Sequence, residues 1–192
     1  RDTFDDDALF GEWIADQVAR VARLSLESDD LGDVDSAVFF CVKHLLRHGA
    51  RSTEAVSLMD AALRRHPRAA TVRVFRALTA HELGQPNAFD DLSAMLREPQ
   101  ESHVPQWLWQ VAGEVFLRGQ RWVDAVTAFR RGGVDASTFD DIQWLNQYAV
   151  SLARSGASDA ARSVLERAVF LGPDEAIVRH NLDVLRGGLD EA

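Results

Sequence analysis

A pattern of glycines and large apolar residues that returns every 35 to 37 residues constrains this chain more than any other feature. It is clearest at 142–175, where apolar and small side chains recur three and four positions apart in two stretches. Gly156 separates the two stretches and Pro173 ends the second, as expected for two amphipathic helices joined by a tight turn. Small residues at Ala149 and Ala161 allow these helices to pack close together.

The same hairpin pattern occurs three more times upstream, beginning at Ser36. A turn glycine and one large residue in each first helix mark its register. The glycines are Gly49, Gly84, Gly119 and Gly156, and the large residues are Phe39, Val74, Trp109 and Leu145. One such hairpin cannot bury its apolar face alone, so neighbouring hairpins must stack. The sequence therefore predicts an all-α protein built from helical hairpins.

These residues resemble the tetratricopeptide repeat family, whose units have about 34 residues with small residues at the helix contacts and a glycine at the turn. The resemblance implies a right-handed helical-hairpin solenoid with a C-terminal capping helix. The implied repeats are 36–69, 71–102, 106–139 and 142–175, followed by a capping helix at 176–186 that Gly187 and Gly188 end. The second helices of the units are expected at 51–64, 87–97, 121–131 and 158–170.

Residues 1–35 form an acidic N-terminal arm. This arm has a net charge of −8, whereas residues 36–103 carry +2 and residues 104–192 carry −3. Within the arm, residues 8–26 place apolar side chains on one stripe, which predicts an amphipathic helix. We expect it to pack on the first repeat, and the alternative is a detachable segment that docks in a groove. Because phosphate binding needs a clustered basic face, nucleic acid is not expected as the main ligand.

Localisation is predicted from the distribution of apolar and basic residues. No apolar run approaches the roughly 20 residues of a membrane span, so we expect no membrane insertion. Lys43 is the only lysine beside many arginines, which we interpret as the coding bias of a bacterium with high GC content. No signal-peptide pattern opens the sequence, and a cytoplasmic protein is expected. The chain begins at Arg1 rather than Met, and we expect it to be a fragment or a processed form.

Catalytic patterns are missing from the sequence. It contains no glycine-rich phosphate loop, no nucleophile elbow and no pair of cysteines, so we expect neither an enzyme nor a cofactor. The weak metal candidate is Cys41, His44 and His48, since His44 and His48 have the i, i+4 spacing that can chelate a transition metal. A structural zinc site needs about four protein ligands, and no fourth lies near in the sequence.

The resemblance also implies a binding site, because the first helices of a tetratricopeptide solenoid line a concave groove that holds a peptide or a partner helix. Amide side chains there can bond a peptide backbone, and aromatic side chains supply contact area. The groove positions of this sequence are Phe40, His44, His48, Phe75, Arg76, Thr79, Trp107, Gln110, Glu114, Gln143, Asn146, Gln147, Arg154, His180 and Asn181.

The sequence therefore favours a non-enzymatic scaffold or adaptor for a protein or peptide partner. Two alternatives of the same class are a chaperone-like adaptor of a bacterial secretion or pilus-assembly system and a regulatory arm of a larger enzyme or transcription regulator. An alternative of another class is a metal-dependent enzyme that uses the cysteine and histidines above. Chaperone-binding members of the family grip a C-terminal carboxylate with Lys and Asn, but here His44, Thr79 and Glu114 hold those places, so no such clamp is predicted.

Overall fold

The computed structural model describes residues 52–99, 104–135 and 137–190, which form eight α-helices and no β-strand. The helices are α1 (Ser52–Arg65), α2 (Ala70–Glu82), α3 (Asp90–Arg97), α4 (Gln106–Arg118), α5 (Trp122–Arg131), α6 (Ile142–Arg154), α7 (Ser158–Leu171) and α8 (Ala176–Asp190). The predicted all-α class is confirmed for this part of the chain. The acidic arm, its helix at 8–26 and the first helix of the first repeat lie outside the described residues.

Contacts between Cα atoms divide the chain into two compact units, Arg1–Met95 and Leu96–Ala192. In the first unit, α1 packs against α2. In the second unit, α4 packs against α5, and α6 packs against α7, so each pair forms a helical hairpin. Helix α6 also contacts α4 and α5 of the preceding hairpin, and α8 packs mainly on α7 with a smaller contact to α6.

Helices α2, α4 and α6 are spaced regularly along the chain. Each has 13 residues, and they begin at Ala70, Gln106 and Ile142, a step of 36 residues each time. Helices α5 and α7 follow the same step, since they begin at Trp122 and Ser158. The step is thus constant, whereas the turn glycines and large residues of the sequence indicated steps that varied between 35 and 37.

The difference arises at the turns that end these helices. Each turn has one residue with positive φ, and these residues are Gly84, Gln120 and Gly156, again 36 positions apart. Gly119, which the sequence analysis took as the turn glycine, has a φ of −78°. In this turn the N–H of Gln120 donates to the oxygen of Leu117, and the N–H of Arg121 donates to the oxygen of Phe116. This is the Schellman pattern, which requires a left-handed residue at Gln120.

Replacing Gln120 with glycine should therefore stabilise the protein. A left-handed conformation costs an L-residue about 1–2 kcal/mol, and the added freedom of glycine in the unfolded chain offsets about 0.4–1 kcal/mol of that gain. We expect Gln120→Gly to raise the free energy of unfolding by roughly 0.5–1 kcal/mol, and the opposite change Gly156→Ala to lower it. Urea denaturation measures both. A lower stability for Gln120→Gly would show that the left-handed turn is absent.

Phe129 of α5 is at the centre of the core of the second unit. Its side chain is fully buried, and its ring centroid lies 6.1 Å from the ring centroids of both Trp144 and Tyr148 on α6. On the other side, a Cβ atom added to Gly113 of α4 would lie 2.6 Å from two carbons of the Phe129 ring. The missing side chain of Gly113 therefore lets the ring lie against the backbone of α4. Phe129 joins three helices through these contacts.

Arg130 and Arg131, which follow Phe129 in the sequence, make polar contacts that link α5 to neighbouring segments. The guanidinium of Arg131 lies 4.8 Å from the ring centroid of Trp109, and its Nη2 donates to the oxygen of Leu96 at 2.8 Å. The Nε of Arg130 donates to the hydroxyl of Tyr148 at 3.1 Å, and this hydrogen bond raises the pKa of Arg130. Arg131 thus links α5 to the end of α3, and Arg130 links α5 to α6.

Two helices depart from the limits expected from the sequence. Helix α3 begins at Asp90 rather than at residue 87, because the chain forms turns here in which the N–H of Ala88 donates to the oxygen of Gln85. Helix α8 continues to Asp190, so the prediction that Gly187 and Gly188 end the capping helix is wrong. A glycine inside a helix costs only about 0.5–1 kcal/mol relative to alanine, which is too little to stop a helix by itself.

Candidate ligand-binding cleft

A cleft of about 330 Å³ lies in the second unit, between helices α6, α7 and α8. Its volume falls at the lower end of the range of about 300–1,000 Å³ that is usual for ligand sites, enough for one or two side chains of a ligand. Most of its wall is apolar. The lining residues are Ala149, Val150, Ala153, Arg154, Leu165, Asn181, Val184 and Leu185.

The helical periodicity of α6 produces one wall of this cleft. Residues Leu145, Ala149 and Leu152 are buried against neighbouring helices, and the adjacent face carries Val150 and Arg154 four positions apart. The start of α6 is fixed by Asp141, whose side chain accepts hydrogen bonds from two backbone N–H groups of the first turn. A fixed helix start sets the rotation of the helix, and so the direction in which these side chains point.

Helix α8 forms the opposite wall. It buries Val178 and Leu182 and places Asn181, Val184 and Leu185 along the cleft. Val184 stays exposed in spite of its apolar side chain. This helix therefore buries one apolar stripe inside the protein and presents a second apolar surface, which includes Val184, to a ligand in the cleft.

A pair of amide side chains connects the two walls. The Nδ2 of Asn181 donates to the Oδ1 of Asn146 at 2.8 Å. An amide has two N–H donors and an oxygen with two lone pairs, so the Asn146 amino group and the Asn181 oxygen keep hydrogen-bonding capacity. One donor and one acceptor side by side match the C=O and the N–H that each peptide group offers.

Among the described residues that line the cleft, only Arg154 is charged. Its side chain is exposed, and its guanidinium lies 6.0 Å from the ring centroid of Trp122 on α5. None of the ion pairs within the described ranges includes Arg154. The cleft thus combines an apolar wall, an amide pair and a cation without a carboxylate partner.

Of the residues predicted from the sequence, Arg154 and Asn181 line the cleft, and Asn146 is hydrogen-bonded to Asn181 without being a lining residue itself. The other predicted groove residues of the second unit do not line it. Among these, Trp107 is 48% exposed, and Gln143 and His180 are also exposed. Two others interact within the protein, since Gln110 donates to the oxygen of Gly132 and Glu114 forms an ion pair with Arg118. The last, Gln147, has a buried Oε1 without a hydrogen bond.

In the first unit, two predicted groove residues face inward. Arg76 is 7% exposed and donates from Nε to Asp60 at 3.0 Å, and Thr79 is fully buried with its hydroxyl bonded to the oxygen of Phe75. Phe75 itself is half-buried. The burial of Thr79 agrees with the step of 36 residues, because the equivalent residues 36 and 72 positions later, Val115 and Ser151, are also buried. Neither Arg76 nor Thr79 presents its polar group to a ligand.

The remaining predicted residues lie outside the described part of the chain. They are Phe40, His44 and His48 of the groove, together with Cys41 of the metal candidate. Within the described ranges, no group of three or more His, Cys, Asp or Glu side chains is placed to hold a metal ion. The metal candidate therefore stays a prediction.

The apolar residues of the cleft were not predicted as site residues. They are Val150, Ala153, Val184 and Leu185. In a sequence, an aliphatic side chain that lines a site looks the same as one that packs in the core. Val150 could have been found from its position, four residues after Asn146 and four before Arg154 on one face of a helix. Val184 could have been found in the same way, three residues after Asn181.

No protein-family model matches the sequence, and no curated protein matches it significantly. In the ranges that the structure describes, no helix is both long enough and apolar enough to cross a membrane.

Proposed function

We propose that this chain is a non-enzymatic interaction module of the tetratricopeptide type, with repeats of 36 residues, that binds a peptide or a partner helix. The observation that carries the proposal is the cleft in the second unit. There helices α6 and α8 bring an apolar wall together with a donor and an acceptor for a peptide backbone. We further propose that the chain is a bacterial adaptor that acts in the cytoplasm; the predominance of arginine over lysine supports the bacterial origin.

The chemistry of the cleft favours binding over catalysis. Among the described residues, Arg154 is the one ionisable side chain in the lining, and a guanidinium donates hydrogen bonds without accepting any, so it is not suited to act as a general base. The hydroxyl of Ser151, which follows the cleft residue Val150 on α6, is fully buried and donates to the oxygen of Gln147. A hydroxyl without an adjacent base is not activated as a nucleophile.

The test begins with a phage-displayed library of random dodecapeptides, selected on the purified chain. The best selected peptide is then titrated against the variant Asn146→Ala/Asn181→Ala. Each lost amide contact should cost about 0.5–1.5 kcal/mol, so the affinity should fall roughly five- to a hundredfold. The two amides also bond each other, so thermal unfolding of the variant must be measured, and a loss of about 1 kcal/mol in stability is expected.

The matched control is Arg179→Ala, which changes an exposed side chain of the same helix α8 that does not line the cleft. It should leave the affinity unchanged within about twofold, since exposed charges rarely contribute more than about 1 kcal/mol. If the control weakens binding and the amide variant does not, the ligand uses another face. If no peptide is enriched, the chain is not a peptide-binding module.

A further inference from the structure

The repeat provides an internal comparison for Arg154. Arg118 of α4 lies 36 positions earlier, also in the last turn of its helix. The Nη2 of Arg118 pairs with the Oε1 of Glu114 at 2.6 Å, one helical turn earlier. The residue of α6 equivalent to Glu114 is Val150, which lines the cleft. Helix α6 therefore has an arginine at the position equivalent to Arg118, but an apolar cleft residue at the position equivalent to Glu114.

Arg154 is well placed to receive a carboxylate from outside the chain. Its guanidinium lies over Trp122, which restrains the side chain near the edge of the cleft. A carboxylate that approaches it displaces no ion pair within the described part of the chain, whereas at Arg118 it would compete with Glu114. Among the described residues that line the cleft, none is acidic, so none of them would repel such a ligand.

We infer that the cleft selects acidic peptides, with an Asp or Glu side chain of the ligand paired to Arg154 and a neighbouring apolar side chain inserted between α6 and α8. This inference rests on the proposed function and names the chemistry of its ligand. The amide pair of Asn146 and Asn181 bonds the peptide backbone between these two side chains. A second copy of the chain is a poorer occupant, because two copies with a net charge of −9 each repel each other strongly, whereas a short peptide brings only a few negative charges, one of them paired with Arg154.

The sharpest test supplies the missing carboxylate from within the chain. Val150→Glu places an acid four residues before Arg154, as Glu114 stands before Arg118. Val150→Gln is the matched control, because it makes the same change in size and polarity without the charge. The probe is the best dodecapeptide from the phage selection, in its original form and with each Asp and Glu changed to Asn or Gln.

We expect an acidic residue next to an aliphatic or aromatic one in the selected peptides. Neutralising the acid should lower the affinity about three- to tenfold, and Arg154→Gln should cause a similar loss with the acidic peptide but little with the neutralised one. Val150→Glu should bind the acidic peptide more weakly than Val150→Gln does. The difference should shrink as salt is raised from 50 to 500 mM, because salt screens exposed charges.

Several results would overturn the inference. Selected peptides without an acidic residue, or equal affinities for wild type and Arg154→Gln, would remove the charge preference while leaving peptide binding in place. Equal binding by Val150→Glu and Val150→Gln would show that Arg154 does not receive the carboxylate. A dimer in gel filtration that Val150→Glu disrupts would assign the cleft to a second copy. Failure to select any peptide would instead overturn the proposed function itself.

Discussion

Replacing Phe129 with alanine is expected to lower the free energy of unfolding by about 3–5 kcal/mol, the range for a fully buried aromatic side chain. The ring is completely inaccessible to solvent and contacts residues of both α4 and α6. Its removal leaves a cavity that Trp144 and Tyr148 should fill only in part, because both are held in place by helix α6. The loss should therefore affect the whole second unit rather than α5 alone.

The matched control for this change is Phe170→Ala. Phe170 is 85% exposed near the end of α7, so its removal should change the free energy of unfolding by less than about 0.5 kcal/mol. Urea denaturation followed by tryptophan fluorescence suits both variants, since four of the five tryptophans lie in the second unit. Similar losses for the two variants would contradict the assignment of Phe129 to the core.

Gly113→Ala and Gly187→Ala are expected to change stability in opposite directions. Alanine favours a helix over glycine by about 0.5–1 kcal/mol, and a Cβ at Gly187 would meet nothing within 4 Å, so Gly187→Ala should be stabilising by up to that amount. At Gly113 the new methyl group would lie 2.6 Å from the ring carbons of Phe129. Overpacking of this kind costs typically about 1–3 kcal/mol, so Gly113→Ala should be destabilising.

A double-mutant cycle separates this clash from other effects of the alanine. Phe129→Leu removes the ring, so adding Gly113→Ala to that variant should cost less than adding it to the wild type. The coupling between the two positions should be about 0.5–3 kcal/mol. Additive losses, or a stabilising effect of Gly113→Ala alone, would show that the Phe129 ring does not lie against the backbone of α4.

The sequence predicted the helices well because amphipathic periodicity is a local property. Helices α1, α5 and α7 begin within one residue of their expected positions. The register was less accurate, because it relied on turn glycines. The Schellman turn needs a residue with positive φ, and Gln120 provides it next to a glycine that does not. The resulting error of one residue made Thr79 equivalent to Glu114, whereas the step of 36 residues makes it equivalent to the buried Val115.

Contacts between distant residues could not be predicted from the sequence. Asn146 and Asn181 were expected to bond a ligand, and the structure shows that they also bond each other across 35 positions. Arg76 was expected in the groove, yet Asp60 of the neighbouring helix holds it inside the first unit. Helical periodicity gives the face of a helix that a residue occupies, but the partner depends on how the helices pack.

The most direct measurement of the central claim, that a ligand occupies the cleft between α6 and α8, is mapping of the selected peptide by amide chemical shifts. The account predicts that the largest changes on titration cluster at Val150, Ala153, Val184 and Leu185, which line the cleft. Val123 of α5, which is exposed and does not line the cleft, should change little. Large changes around Val123 with unchanged shifts at the cleft residues would contradict the account.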